Sequence, residues 1–87
     1  MVSFTAKIID PVGLHARPAS LTVGTSSKFT SDISIVFNST KGNLKSIMNV
    51  MALGIKNGDE VTIEANGADE KEALAEVEKV MKENKLI

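Results

Sequence analysis

Val2, Phe4, Ala6 and Ile8 alternate with Ser3, Thr5 and Lys7. A period of two is that of a half-buried strand, dry on one face and wet on the other. Asp10-Pro11-Val12-Gly13 closes it, because Pro11 has no N–H to give a ladder and Gly13 frees the backbone. A helix is expected from Ala16 to about Ser27. Its pattern is weak. Ala16, Ala19 and Val23 share a face, but Gly24 in mid-helix costs roughly 1 kcal/mol relative to alanine, and Thr25-Ser26-Ser27 adds little. Such a helix must lean on tertiary packing.

Ile33, Ile35 and Phe37 alternate with Ser34, Val36 and Asn38, giving a second strand. Asn38 to Asn43 reads as a turn with a short third strand, polar as an edge strand should be. Ser46 to Leu53 is a short helix, closed by Gly54 where a left-handed cap is usual. After the turn signal Asn57-Gly58, Val61, Ile63 and Ala65 alternate with Thr62 and Glu64 as a fourth strand. The last helix is the clearest. Asp69 is expected to cap it and Glu72 to complete a capping box. Ala73, Leu74, Val77, Val80 and Met81 form its apolar stripe, and Glu78–Lys82 and Lys79–Glu83 are spaced to pair on its wet side. The order β-α-β-β-α-β-α predicts an α+β fold: a four-stranded antiparallel sheet covered on one face by three helices.

At 87 residues, positions 1–87 are expected to form one domain, near the lower size limit for an unstapled core. The absence of cysteine excludes disulfides and thiolate metal sites, and no carboxylate pair joins the lone histidine at ligand spacing, so no metal site is expected. With a net charge of −1 and neither tryptophan nor tyrosine, the chain lacks the basic stripe and stacking aromatics of a nucleic-acid binder. That counts against a small RNA-binding domain, which the element order alone would allow. No apolar run approaches the roughly 20 residues that span a bilayer, and Met1 to Thr5 do not read as a signal peptide. A monomer in the cytoplasm is the expectation.

The one histidine lies in Gly13-Leu14-His15-Ala16-Arg17-Pro18-Ala19, at the junction of strand and helix patterns. If the helix begins just after His15, the N–H groups of Ala16 and Arg17 are left without partners. Pro18 has no N–H to lose there. Those amides and the positive helix end make an anion site, and the Arg17 guanidinium can fork onto phosphate oxygens. Positive potential disfavours imidazolium, so a neutral ring with a free lone pair is expected, and such a ring can attack phosphorus. Phosphoryl transfer needs mainly positioning and charge stabilisation, which so small a constellation supplies. The plainer alternative is that His15 caps the helix and that Gly13 and Pro18 are punctuation.

Ile47, Met48, Val50, Met51, Ala52, Leu53 and Ile55 make the second helix apolar nearly all round. Two turns cannot bury every face, so part of this surface should be open, and an exposed apolar patch rich in methionine suits docking to several partners. Otherwise Ile47 and Met51 are core residues and only Met48 shows. Ser46 has a structural role as N-cap and a functional one as a phosphorylation site beside that patch, and the two are compatible. No Walker-type or kinase motif is present, so the chain should not use ATP itself, and no cofactor is implied.

Gly13 to Ala19 closely resembles the active-site signature of HPr, the histidine-containing phosphocarrier family of the bacterial sugar phosphotransferase system. Asn43-Leu44-Lys45-Ser46-Ile47-Met48 and Leu53-Gly54-Ile55 resemble the family's regulatory region, and Gly58 to Ile63 and Gly67 to Glu70 its last strand and helix start. The resemblance implies a βαββαβα open-faced sandwich and a covalent carrier rather than an enzyme. It implies that His15 accepts a phosphoryl group on Nδ1 from phosphorylated enzyme I, with phosphoenolpyruvate as the source, and donates it to EIIA domains, with Arg17 assisting. The Ser46 motif, with Met48 and Met51, is similar to the Gram-positive type, which implies an HPr kinase/phosphorylase and a corepressor role with a catabolite control protein. A regulatory module switched at Ser46, with His15 a relic, is the alternative. The resemblance is broken at Val12, where many members have a small residue, at Thr22, on a helix face that is often apolar, and at Asn49, a place often held by glycine in Gram-positive members.

Overall fold

The computed structural model describes residues 1–87. Its elements are β1 (Val2–Lys7), α1 (Ala16–Ser26), β2 (Asp32–Phe37), β3 (Thr40–Asn43), α2 (Ile47–Ala52), β4 (Glu60–Asn66) and α3 (Glu70–Glu83). The strands form one antiparallel sheet in the order β1-β4-β2-β3, so the polar β3 is an edge, as its sequence predicts. Phe4 faces Ile63, Ile63 faces Ile35 and Ile35 faces Gly42, which sets one apolar row across four strands. The opposite face is wet: the hydroxyls of Thr5 and Thr62 meet at 2.9 Å and Lys41 pairs with Glu64 at 3.1 Å.

All three helices lie on the apolar side. α3 packs over β4, β1 and β2, α2 packs on β3, and α1 packs against both other helices. Ile33, Ile35, Ile63 and Val61 from the sheet meet Val50, Val77 and Met81 from the helices in a core that excludes water. No helix is long and apolar enough to cross a membrane.

The weak pattern of α1 has a physical explanation. Its buried side is Pro18, Ala19, Thr22, Val23, Thr25 and Ser26, so half of it carries hydroxyls. Thr22 Oγ1 donates to the carbonyls of Pro18 and Ala19, both at 3.1 Å, and Thr25 Oγ1 to that of Leu21 at 3.1 Å. Bonding back to the helix lets the two threonines be buried at little cost, whereas the buried Ser26 Oγ has no hydrogen-bond partner. Ala16, expected on the inner face, is exposed, because it is the first helical residue and projects beyond the packed turns.

The start of α3 corrects the expected capping box. Asp69 stands at the N-cap but makes no capping hydrogen bond. Its carboxylate instead accepts from Thr30 N at 3.0 Å, Ser31 N at 2.9 Å and Ser31 Oγ. Three donors from the loop before β2 outcompete one helix amide. The Ser31 hydroxyl foremost, then the Thr30 amide, lower the Asp69 pKa from 3.8 to about 2. Glu70, not Glu72, reaches back, accepting from Gly67 N at 3.2 Å. Of the two expected surface pairs on α3, Glu78–Lys82 forms at 3.3 Å and Lys79–Glu83 does not, as is common for exposed long side chains.

Candidate functional site

His15 is the N-cap residue of α1, with extended backbone at φ −81° and ψ −172°. The ring makes no capping hydrogen bond, so it does not serve the helix as a cap. Its side chain is 39% exposed. Behind it, the amides of Ala16 and Arg17 meet no acceptor; the helix ladder begins with Ala19 N donating to His15 O at 2.9 Å. Arg17 is exposed and enters no ion pair. An open cleft of about 400 Å³ is lined by Asp10, His15, Arg17, Pro18, Leu21, Asn84 and Leu86. Two free amides, the positive helix end and an unpaired guanidinium thus stand beside one accessible imidazole.

The loop that presents the ring is held from several sides. Gly13 has φ +84°, and a Cβ there would come within 2.4 Å of Ile55 O and 2.6 Å of Lys56 Cα. Only glycine combines that dihedral with so close a backbone crossing. Beside the crossing, Leu14 N donates to Ile55 O at 3.1 Å, and Leu14 is buried. Asn57 Nδ2 donates to Ile9 O at 3.1 Å and Gly58 N to Ile8 O at 2.8 Å. On the other flank Ile9 N donates to Leu86 O at 2.8 Å, which pins the end of the chain against the loop. The segment after α2, closed by Gly54 at φ +64° as expected, is therefore a brace for His15.

Asp10 is the site residue that sequence reasoning missed. It read only as part of a strand terminator. Its Oδ1 accepts from Val12 N at 2.9 Å and lies 3.7 Å from His15 Nε2. The available signal was an aspartate two residues before a turn amide, the pattern of an Asx turn. Val12, whose amide the Asp10 carboxylate holds, is 67% exposed.

Ser46 caps α2: its Oγ accepts from Asn49 N at 3.3 Å and from Asn49 Nδ2 at 3.2 Å. Asn49 Oδ1 in turn accepts from Asn43 N at 3.3 Å, so Asn49 ties the cap to β3. On α2 only Val50 is buried, while Ile47, Met48 and Met51 are exposed at 40%, 82% and 46%. The reading of Ile47 and Met51 as core residues is therefore excluded.

An open-faced βαββαβα sandwich with an uncapped, accessible histidine at a helix start is the architecture of a histidine phosphocarrier. A family model described as the PTS HPr component phosphorylation site matches residues 2–83. The phosphocarrier protein HPr of Mycoplasma genitalium is 51% identical over 88 residues, covering 100% of both chains. That of Mycoplasma capricolum subsp. capricolum is 52% identical over 87 residues, covering 100% of this chain and 98% of the relative. A solved mycoplasma histidine-containing phosphocarrier protein superposes with a TM-score of 0.97 at 51% identity, covering 99% of this chain and 98% of the other. The chain belongs to the HPr family, the phosphocarriers of the phosphotransferase system, which carry phosphoryl groups rather than act as catalytic enzymes.

Proposed function

We propose that this chain relays phosphoryl groups through Nδ1 of His15, taking them from phosphorylated enzyme I and giving them to EIIA domains of sugar permeases, with phosphoenolpyruvate as the first source. The observation that carries this reading is the half-exposed ring, free of any capping duty, next to two unpartnered amides and the unpaired Arg17. The Ala16 and Arg17 amides receive the phosphoryl oxygens, and the guanidinium offsets their charge during transfer. Ile47, Met48 and Met51 form the apolar surface on which the partners dock. The relay works in the cytoplasm as a monomer.

Ser46 adds regulation. A phosphoryl group placed there by an HPr kinase/phosphorylase would put charge at the border of the docking patch, which repels acidic partners and attracts basic ones such as a catabolite control protein. Incubation with enzyme I and labelled phosphoenolpyruvate tests the relay. Wild-type chain takes up acid-labile, base-stable label and the His15→Ala variant takes up none. Label that persists in the variant would overturn the assignment. A wild-type chain that supports gene repression but cannot restore sugar transport would make it a regulator instead.

A further inference from the structure

The sequence gives His15 an anion site on one side. The fold adds a carboxylate on the other. Asp10 Oδ1 lies 3.7 Å from His15 Nε2, inside the cleft that also holds Arg17. The carboxylate is not loose. The same oxygen accepts from Val12 N at 2.9 Å, the Asp10 carbonyl accepts from Gly13 N at 3.0 Å, and Asn57 Nδ2 reaches that carbonyl at 3.3 Å. Arg17, the other charged group lining the cleft, does not pair with Asp10 and so does not neutralise it.

We propose that Asp10 is a positioning residue for phosphoryl transfer: its fixed carboxylate keeps the ring proton of His15 on Nε2 and so leaves the lone pair on Nδ1. The proposal rests on the reading of His15 as the phosphoryl acceptor. At 3.7 Å the contact is electrostatic rather than a hydrogen bond, and it favours whichever form of the ring has its positive end toward Asp10. In the neutral ring that form is the Nε2–H tautomer.

The chemistry follows with nothing added. On acceptance, the Nδ1 lone pair bonds to phosphorus while the bond from phosphorus to the donor breaks, its pair staying with the donor. The Nε2 proton does not move, so positive charge spreads over the ring beside Asp10. On donation, the phosphorus–Nδ1 pair returns to Nδ1 and the ring is again neutral with its proton on Nε2. Asp10 therefore stabilises the charged ring of the carrier state without touching the phosphoryl group. Arg17 and the helix amides act on the phosphoryl oxygens, so the two ends of the ring have separate electrostatic partners.

The Asp10→Asn variant separates charge from shape, since the asparagine oxygen can still accept from Val12 N. The ¹⁵N shifts of the ring, read at about pH 8.5 where an ordinary histidine is neutral, report the tautomer ratio. A partly exposed charge contact is worth up to about fivefold in an equilibrium, so the variant should shift the ratio toward the Nδ1–H form by about that factor. Its rate of phosphoryl acceptance should fall to a similar degree, while its melting temperature stays near wild type. Unchanged ring shifts, or a lower melting temperature with the ratio intact, would overturn the proposal. Failure of the wild-type chain to take label on His15 would overturn the carrier reading instead, and the ring shifts of the same sample would still report on Asp10.

Discussion

Replacing Gly13 by alanine tests whether the brace behind His15 carries the site. Two costs arise at once. A left-handed φ of +84° costs an L-residue about 1–2 kcal/mol. The new Cβ would also sit 2.4 Å from Ile55 O and 2.6 Å from Lys56 Cα, both backbone atoms that no rotamer change can clear. The crossing strands of chain must therefore part by roughly 1 Å, which strains an already close-packed contact. That movement stretches the Leu14 N to Ile55 O bond, now 3.1 Å, and such a bond contributes about 0.5–1.5 kcal/mol. Together these two costs come to about 1.5–3.5 kcal/mol, before any strain from parting the backbones. In a domain of this size each kcal/mol moves the midpoint by about 4–8 °C, so thermal unfolding followed by circular dichroism should show a fall of at least about 6 °C. The phosphoryl acceptance rate, measured well below the new midpoint, should fall as well, because the displaced loop carries the ring. A variant that melts within about 3 °C of wild type and accepts phosphoryl groups at the normal rate would refute the brace.

Gly24→Ala should do the opposite: a Cβ there meets nothing within 4 Å and the residue is in mid-helix, so a gain of about 0.5–1 kcal/mol is expected in chemical denaturation. Met48→Ala should leave the melting temperature within about 3 °C, since the side chain is 82% exposed, yet weaken partner docking by at least about fivefold in titration calorimetry. Asp69 makes stability acid-sensitive. Its folded pKa lies below the unfolded value, so its stabilisation is full above about pH 5 and is lost as pH falls through about 4 toward 2. Melting temperatures across that range should fall less steeply in Asp69→Asn than in wild type.

Periodicity carried most of the fold. The alternating strands and the amphipathic stripe of α3 appear where their patterns place them, with ends shifted by a residue or so. α1 was harder to read, because its buried face carries Thr22 and Thr25, whose hydroxyls bond back to helix carbonyls, and Ser26, whose hydroxyl has no partner, rather than an apolar row. The Asp69 error has a similar origin. A local rule offered the carboxylate one helix amide, while a loop nearly forty positions away in sequence offered three donors. At the site, the helix start after His15 and the open amides were legible, since caps and termini are local features. The packing of Gly13 on Ile55 and Lys56 was not, because it depends on where the chain returns after α2. Nor was the facing of Asp10 and His15, which the turn at Pro11 and Val12 creates.

One spectrum bears most directly on the account. The chain has a single histidine, so ¹⁵N labelling of that residue gives one ring to follow. After phosphorylation by enzyme I and phosphoenolpyruvate, the Nδ1 resonance of His15 should move and couple to phosphorus while Nε2 keeps its proton. Coupling at Nε2, or phosphorus found on another residue with the ring unchanged, would contradict it.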